Sequence, residues 1–241
     1  FLGLKVGIYG LLRIAMPLLP DAAMAARGWM VGLGLAGFFV AALIALSQSN
    51  LRRLVAWLSM SHAGLLTVAV ATGGALAIQG AMVQLSNLGL VTGGLMLALG
   101  FLYQRRASTD VDALGGIAAS APRMAALVMG FGLASVGVPG MAGFVTEWLL
   151  LRGLAERSPG LALLGLMGGA TGAAAFALVF RRAFWGPQKP GLSLPDLRPR
   201  EVAVLLVMLA VLIVAGLLPG PALRATAPGA TLLAALLEGA R

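Results

Sequence analysis

The chain has no cysteine, a single histidine and very little charge. The missing thiols exclude a disulfide framework and any thiolate metal site. One imidazole, His62, does not make a protein-only zinc or haem centre, so no metal site is expected. Only 10% of the 241 residues are charged, whereas soluble domains carry about 25%. A nucleotide site lacks its parts too. The stretch Gly168-Gly169-Ala170-Thr171-Gly172 lies inside an apolar run and has no Walker lysine, so helix packing explains it better. The beginning shows no signal-peptide layout of basic start, short apolar core and small-residue cleavage site. An apolar run is already under way at Phe1, so further residues are expected upstream.

What the chain has is hydrophobic length. Sixty per cent of it is hydrophobic, and it holds 34 glycines, as packed membrane helices do. A span needs roughly 20 apolar residues to cross a core of about 30 Å. Seven runs qualify: Phe1–Leu19, Trp29–Leu46, Leu54–Ala71, Leu76–Tyr103, Met124–Leu151, Leu161–Phe180 and Val202–Leu218. Hydrocarbon offers no partner for free backbone groups, so the runs are read as helices. A β-barrel would alternate in polarity, and these runs do not. The fold class is therefore all-α, a polytopic transmembrane bundle of about seven spans. Residues 1–219 form the membrane domain and 220–241 a short tail. The tail's one apolar stretch, Thr231–Leu237, is too short to span and is expected at the interface.

The net charge of +9 sits mostly between the apolar runs, which fits cytoplasmic loops rather than nucleic-acid binding. One set of loops holds Arg52, Arg53, Arg105, Arg106, Arg123, Arg181, Arg182, Lys189, Arg198 and Arg200. The other holds Arg27, Arg152, Arg157, Arg224 and Arg241. The richer set is expected in the cytoplasm, with the C-terminus outside.

The fifth run differs from the others. Its middle reads Ser135-Val136-Gly137-Val138-Pro139-Gly140. Pro139 lacks a donor and clashes with the preceding turn, while Gly137 and Gly140 loosen the backbone. Two readings follow: a kink, or two half-helices with a break of the kind that forms transporter ion sites.

Of eight acidic residues, only Glu147 falls well inside a run, just past this break. A charged side chain at a helix centre costs about 2.5–3.5 kcal/mol on insertion scales. Glu147 is thus either a proton-exchanging carboxylate or the structural partner of a cation on a neighbouring helix. Lys5 lies in the first run; burial disfavours a lysine's charge, so it exchanges protons if deep and snorkels if near a helix end. Arg13, two turns on and nearer Pro20, is expected to snorkel. His62 titrates near neutral pH, which suits a relay; the alternative is a hydrogen-bonded interhelical histidine. Ser59, Ser61, Gln84 and Asn87 add candidate relay groups that could hold water or join helices.

These residues also form recognisable blocks. Asn50 to Gly64 resembles the "DLKRLIAYSSVSHMG" stretch of complex I antiporter-like subunits. Ala134 to Trp148 resembles "ASIGLPGTSGFVGEF", Lys5 to Arg13 resembles "KVGTYGLLR", and Arg181 to Pro187 resembles "QRVFFGP". Four blocks in family order cover most of the chain. The sequence is similar to the antiporter-like proton-channel subunits of respiratory complex I, which are related to multisubunit sodium/proton antiporters. A carboxylate in the second broken helix resembles the M type, because other types usually carry lysine there.

The resemblance implies about fourteen helices in two inverted repeats, with this chain holding the last ones. It implies a proton-transfer axis of Lys5, His62 and Glu147, and a translocase role without a redox centre. NADH, flavin, iron–sulfur clusters and quinone would then sit in partner subunits, and the other membrane subunits and lipid would be the partners, in a bacterial inner membrane. The alternatives are a subunit of a cation/proton antiporter and a scaffold with a dead channel. Two departures stand out. The family's "NHGL" is Asn87-Leu88-Gly89-Leu90 here, so one relay histidine is lost, and "AYSS" is Ala56-Trp57-Leu58-Ser59.

Overall fold

The computed structural model describes residues 2–187 and 194–239. Lys189 and Arg241 lie outside the described residues. The fold is a bundle of helices, and no strand occurs among the described residues beyond one isolated bridge, Asn50 with Asp110.

The first span is interrupted. Helix α1 (Leu2–Gly10) passes through a π turn at Leu11–Ala15 into the short α2 (Met16–Leu18). Helix α3 (Pro20–Leu46) follows at once, with Pro20 at its first position, where a missing N–H is harmless. Asn50 starts α4 (Leu51–Thr72) by accepting from the N–H groups of Arg52 and Arg53 at 3.0 and 3.2 Å. Gly73, at φ 72°, ends it in a left-handed turn. Helix α5 (Ala75–Arg106) is 32 residues long and stands at the centre, against α4, α7, α8, α10 and α11. The short α6 (Ile117–Ser120) leads into α7 (Pro122–Ser135).

The fifth span is two half-helices, not a kink. Helix α7 stops at Ser135, and α8 (Ala142–Arg157) restarts after six residues of turn. Gly137 at φ 72° and Gly140 at φ 92° supply the left-handed backbone that the turn requires. Val138 N–H reaches the Leu133 carbonyl at 3.2 Å, which closes the end of α7. The two halves run antiparallel to α5. Gly94 faces the Phe131 ring, Gly80 faces Leu150 and Gly153 faces Ala77. The break therefore lies opposite the middle of α5.

Helix α9 (Pro159–Phe180) ends in a second π turn at Arg181–Trp185, and α10 (Pro199–Leu217) follows. Five helices are each long and apolar enough to cross a membrane alone: α3, α4, α5, α9 with its π turn, and α10. The interrupted first span and the two halves of the fifth complete the seven expected runs.

Thr231–Leu237 belongs to α11 (Gly220–Gly239), a 20-residue helix that is not among those apolar enough to cross a membrane alone. It buries Ala230, Leu233, Ala234 and Leu237. Gln79 donates to the Leu223 carbonyl at 2.9 Å, and Met82 lies by Gly229, so α11 packs against the first half of α5.

Basic residues gather at the end of the bundle where α5 finishes. Arg52 lies over the Tyr103 ring at 4.4 Å, and Arg182 pairs with Asp112 at 3.3 Å. Arg105 pairs with Glu201 at 2.5 Å, with both side chains less than a tenth exposed. Asp196 accepts from the first N–H groups of α7, those of Arg123 and Met124. By the charge rule this end is cytoplasmic.

Candidate functional site

Three ionisable side chains sit at half depth. His62 is at the middle of α4. Glu147 is in the second turn of α8, immediately after the break. Lys5 reaches the middle of α5, where its ammonium donates to the Leu88 carbonyl at 3.1 Å and to Thr92 Oγ1 at 2.8 Å. These contacts settle the depth of Lys5, which does not snorkel to a helix end.

His62 and Glu147 form a pair. The Nδ1 of His62 lies 2.8 Å from the Leu58 carbonyl, which can only accept, so Nδ1 carries a hydrogen. Nε2 then faces Glu147 Oε1 at 3.6 Å. Ser135, at the end of α7, borders the same cavity as the imidazole. A bare Nε2 opposite an ionised carboxylate would set lone pair against anion. One proton between them resolves this, either on the ring or on the carboxyl, and both forms are neutral overall. The pair borders a cavity of about 380 Å³, lined mostly by apolar groups such as Phe144, Trp148 and Leu151, with Ser61 and Ser135 beside them. Glu147 keeps 24% of its side-chain exposure through this cavity.

Lys5 does not touch that pair. Between it and α4 lies a small cavity of about 10 Å³, bordered by Ser59, Ala63 and Leu88. That is roughly the space one water needs. Ser59 donates back to the Val55 carbonyl at 2.8 Å, leaving its oxygen free to accept. Leu88, where the resembled family often has histidine, contributes its carbonyl to Lys5 and its side chain to the cavity.

The remaining polar candidates divide by role. Ser61 donates to the Phe38 carbonyl at 3.0 Å and ties α4 to α3. Gln84 and Asn87 form a separate buried cluster between α5 and α8. Asn87 Nδ2 donates to Gln84 Oε1 at 2.9 Å, Thr146 donates to the same oxygen, and Asn87 Oδ1 has no partner among the described residues. Two residues the sequence reading missed belong here: Thr92, which holds Lys5, and Thr146, which pins the start of α8 to α5. Each is a lone hydroxyl in an apolar run, four residues from a carbonyl it can satisfy, which is too common a pattern to stand out. Among the described residues no group of three metal-ligating side chains converges.

The chain as a whole has known counterparts. Residues 1–171 match the family described as NADH:quinone oxidoreductase/Mrp antiporter, TM. The chain belongs to this family. It is 32% identical to NADH-quinone oxidoreductase subunit M of Pseudomonas aeruginosa, over 91% of this chain and 43% of that protein. It is 33% identical to subunit M of Escherichia coli K12, over 91% of this chain and 44% of the relative. The chain thus spans a little under half the length of these relatives. A subunit in the structure of respiratory complex I from Thermus thermophilus superposes with a TM-score of 0.91 at 33% identity, over 96% of this chain and 49% of that one. The Mrp complex from a Dietzia species shares the fold, with a TM-score of 0.84 at 17% identity over 97% of this chain and 53% of that one. The resemblance to M-type subunits therefore holds, and the chain is an integral membrane protein of the bacterial inner membrane.

Proposed function

We propose that this chain is the proton-conducting part of a membrane subunit of an NADH-quinone oxidoreductase. It moves protons while quinone is reduced elsewhere in the complex. In this reading NADH, flavin, iron–sulfur clusters and quinone belong to partner subunits, and this chain acts as a translocase without a redox centre. The other membrane subunits and lipid surround it.

The observation that carries the reading is the His62–Glu147 pair at the helix break, 3.6 Å apart at mid-depth. Its two neutral forms differ only in where one proton sits. Adding a proton leaves an imidazolium beside a neutral acid, and removing one leaves a carboxylate beside a neutral ring. Either change puts an uncompensated charge at hydrocarbon depth, which is costly. A charge arriving at or leaving Lys5 therefore biases the pair, and this is the form that coupling along the axis takes.

Glu147→Gln keeps the side chain's shape but cannot release a proton. It is expected to cut proton translocation driven by NADH oxidation strongly, in membranes with matched complex content. Full translocation by this variant would make the carboxylate structural and favour a scaffold with a dead channel. The second reading, a subunit of a cation/proton antiporter, draws support from the family's own breadth. Sodium-dependent rather than NADH-dependent proton movement would select it.

A further inference from the structure

We propose that Gly137 is the seat of the Glu147 carboxylate, and that the space left by its missing side chain sets the Glu147–His62 distance. The proposal rests on the reading of Glu147 as a proton-exchanging group. Gly137 does end α7, and its φ of 72° suits that role. A second property is independent of the turn. A Cβ at Gly137 would overlap Glu147 Oε2 and lie 2.9 Å from Cδ and 3.4 Å from Oε1. The three atoms nearest this place all belong to the Glu147 carboxyl group.

The placement is built by two glycines acting together. Gly143 is one turn before Glu147 on the same face of α8. A Cβ there would overlap the Ala134 carbonyl oxygen and lie 3.4 Å from Gly137 Cα. The absence of that Cβ lets the first turn of α8 press onto the end of α7. Glu147 then comes down on Gly137, with Oε2 in the notch and Oε1 turned to His62 Nε2. Ser135, two residues before the notch, borders the same cavity as the imidazole. The break thus does more than interrupt a helix: it holds carboxylate and ring in one register.

A methyl group at Gly137 must push the carboxylate away from the notch. Glu147 sits on the wall of an open cavity, so it has room to swing and lose His62. Shortening the side chain by one methylene removes the overlap. This separates the seat from simple backbone strain, because strain at a positive φ is indifferent to the length of residue 147.

The test is a cycle of variants in the intact complex, read as NADH-driven proton translocation at matched complex content. Gly137→Ala is expected to lower the rate at least about fivefold, as small misplacements of reacting groups do. In the Glu147→Asp background, Gly137→Ala should lower it by less than about twofold further, a clear departure from additivity. An equal loss in both backgrounds, or no loss from Gly137→Ala alone, overturns the seat. If Gly137→Ala prevents assembly, assembly becomes the readout: recovery on adding Glu147→Asp supports the seat, and no recovery overturns it. Glu147→Gln is measured alongside. Full translocation by that variant sinks the functional reading, whereas an additive cycle with inactive Glu147→Gln sinks only the seat.

Discussion

His62 Nε2 faces Glu147 Oε1 at 3.6 Å while Nδ1 is held by the Leu58 carbonyl at 2.8 Å. The carbonyl fixes the ring's tautomer and orientation, so only Nε2 is free to gain or lose a proton. His62→Gln preserves polarity at this position but cannot be protonated. NADH-driven proton translocation should fall roughly tenfold or more, as when a proton-transferring group is removed. The complex should assemble at its normal level, because the ring fills a cavity wall rather than a close-packed core. Translocation unchanged by His62→Gln would leave Glu147 to act without the imidazole.

The Lys5 ammonium has one acceptor from the backbone and one from a side chain, Leu88 O and Thr92 Oγ1. Thr92→Val keeps the shape and removes the side-chain acceptor, together with the hydroxyl's own donation to the Leu88 carbonyl. A hydrogen bond to a charged group is worth about 1.5–3 kcal/mol, so the charged form of Lys5 loses stabilisation by that order. Proton translocation in Thr92→Val should change in rate and shift its pH dependence, since the variant alters the balance between the two forms of Lys5. Lys5→Met should abolish both. An unaltered pH profile in Thr92→Val would show that the Leu88 carbonyl alone holds the ammonium.

Arg105 and Glu201 join α5 to α10 at the basic end, and Arg105 also donates to the Pro195, Asp196 and Phe101 carbonyls. Removing one partner leaves the other with its charge poorly solvated. Arg105→Met is therefore expected to destabilise by about 2–3 kcal/mol, read as a lower thermal midpoint of the purified complex. Arg105→Met with Glu201→Leu should lose less than the sum of the single changes, because no unpaired charge remains. Strict additivity would show that the two ends are held independently.

Much of this was legible in the sequence, and the exceptions share a cause. The seven apolar runs and the break at Gly137, Pro139 and Gly140 follow from rules about backbone donors and positive φ, which act locally. The depth of Lys5 did not follow, because depth is fixed by α5, more than eighty residues away in sequence. Thr92, Thr146 and the Arg105–Glu201 pair were missed for the same reason: each gains meaning only from a partner on another helix. Helix α11 was hidden by composition. Its buried face uses alanine and leucine among Gly220, Pro221, Pro228 and Gly229, so no long apolar run marks it.

The sidedness of α11 calls for a labelling experiment for which the chain is well suited, since it has no cysteine. Helix α11 starts beside Gln79, near the beginning of α5 and away from the end that carries Arg105. Exposed positions mark the two sides. Ala119, in α6, lies at the basic end; Gly160, at the start of α9, lies at the other; Glu238 lies at the end of α11. With the basic end in the cytoplasm, Ala119→Cys should react with an impermeant thiol reagent from the cytoplasmic side of sealed vesicles. Gly160→Cys and Glu238→Cys should react only from the opposite side, because α11 starts there and is not among the helices apolar enough to cross. Reaction of Glu238→Cys from the cytoplasmic side would mean that α11 crosses the membrane. Reaction of Ala119→Cys from outside would invert the whole bundle while leaving the relation between α5 and α11 intact.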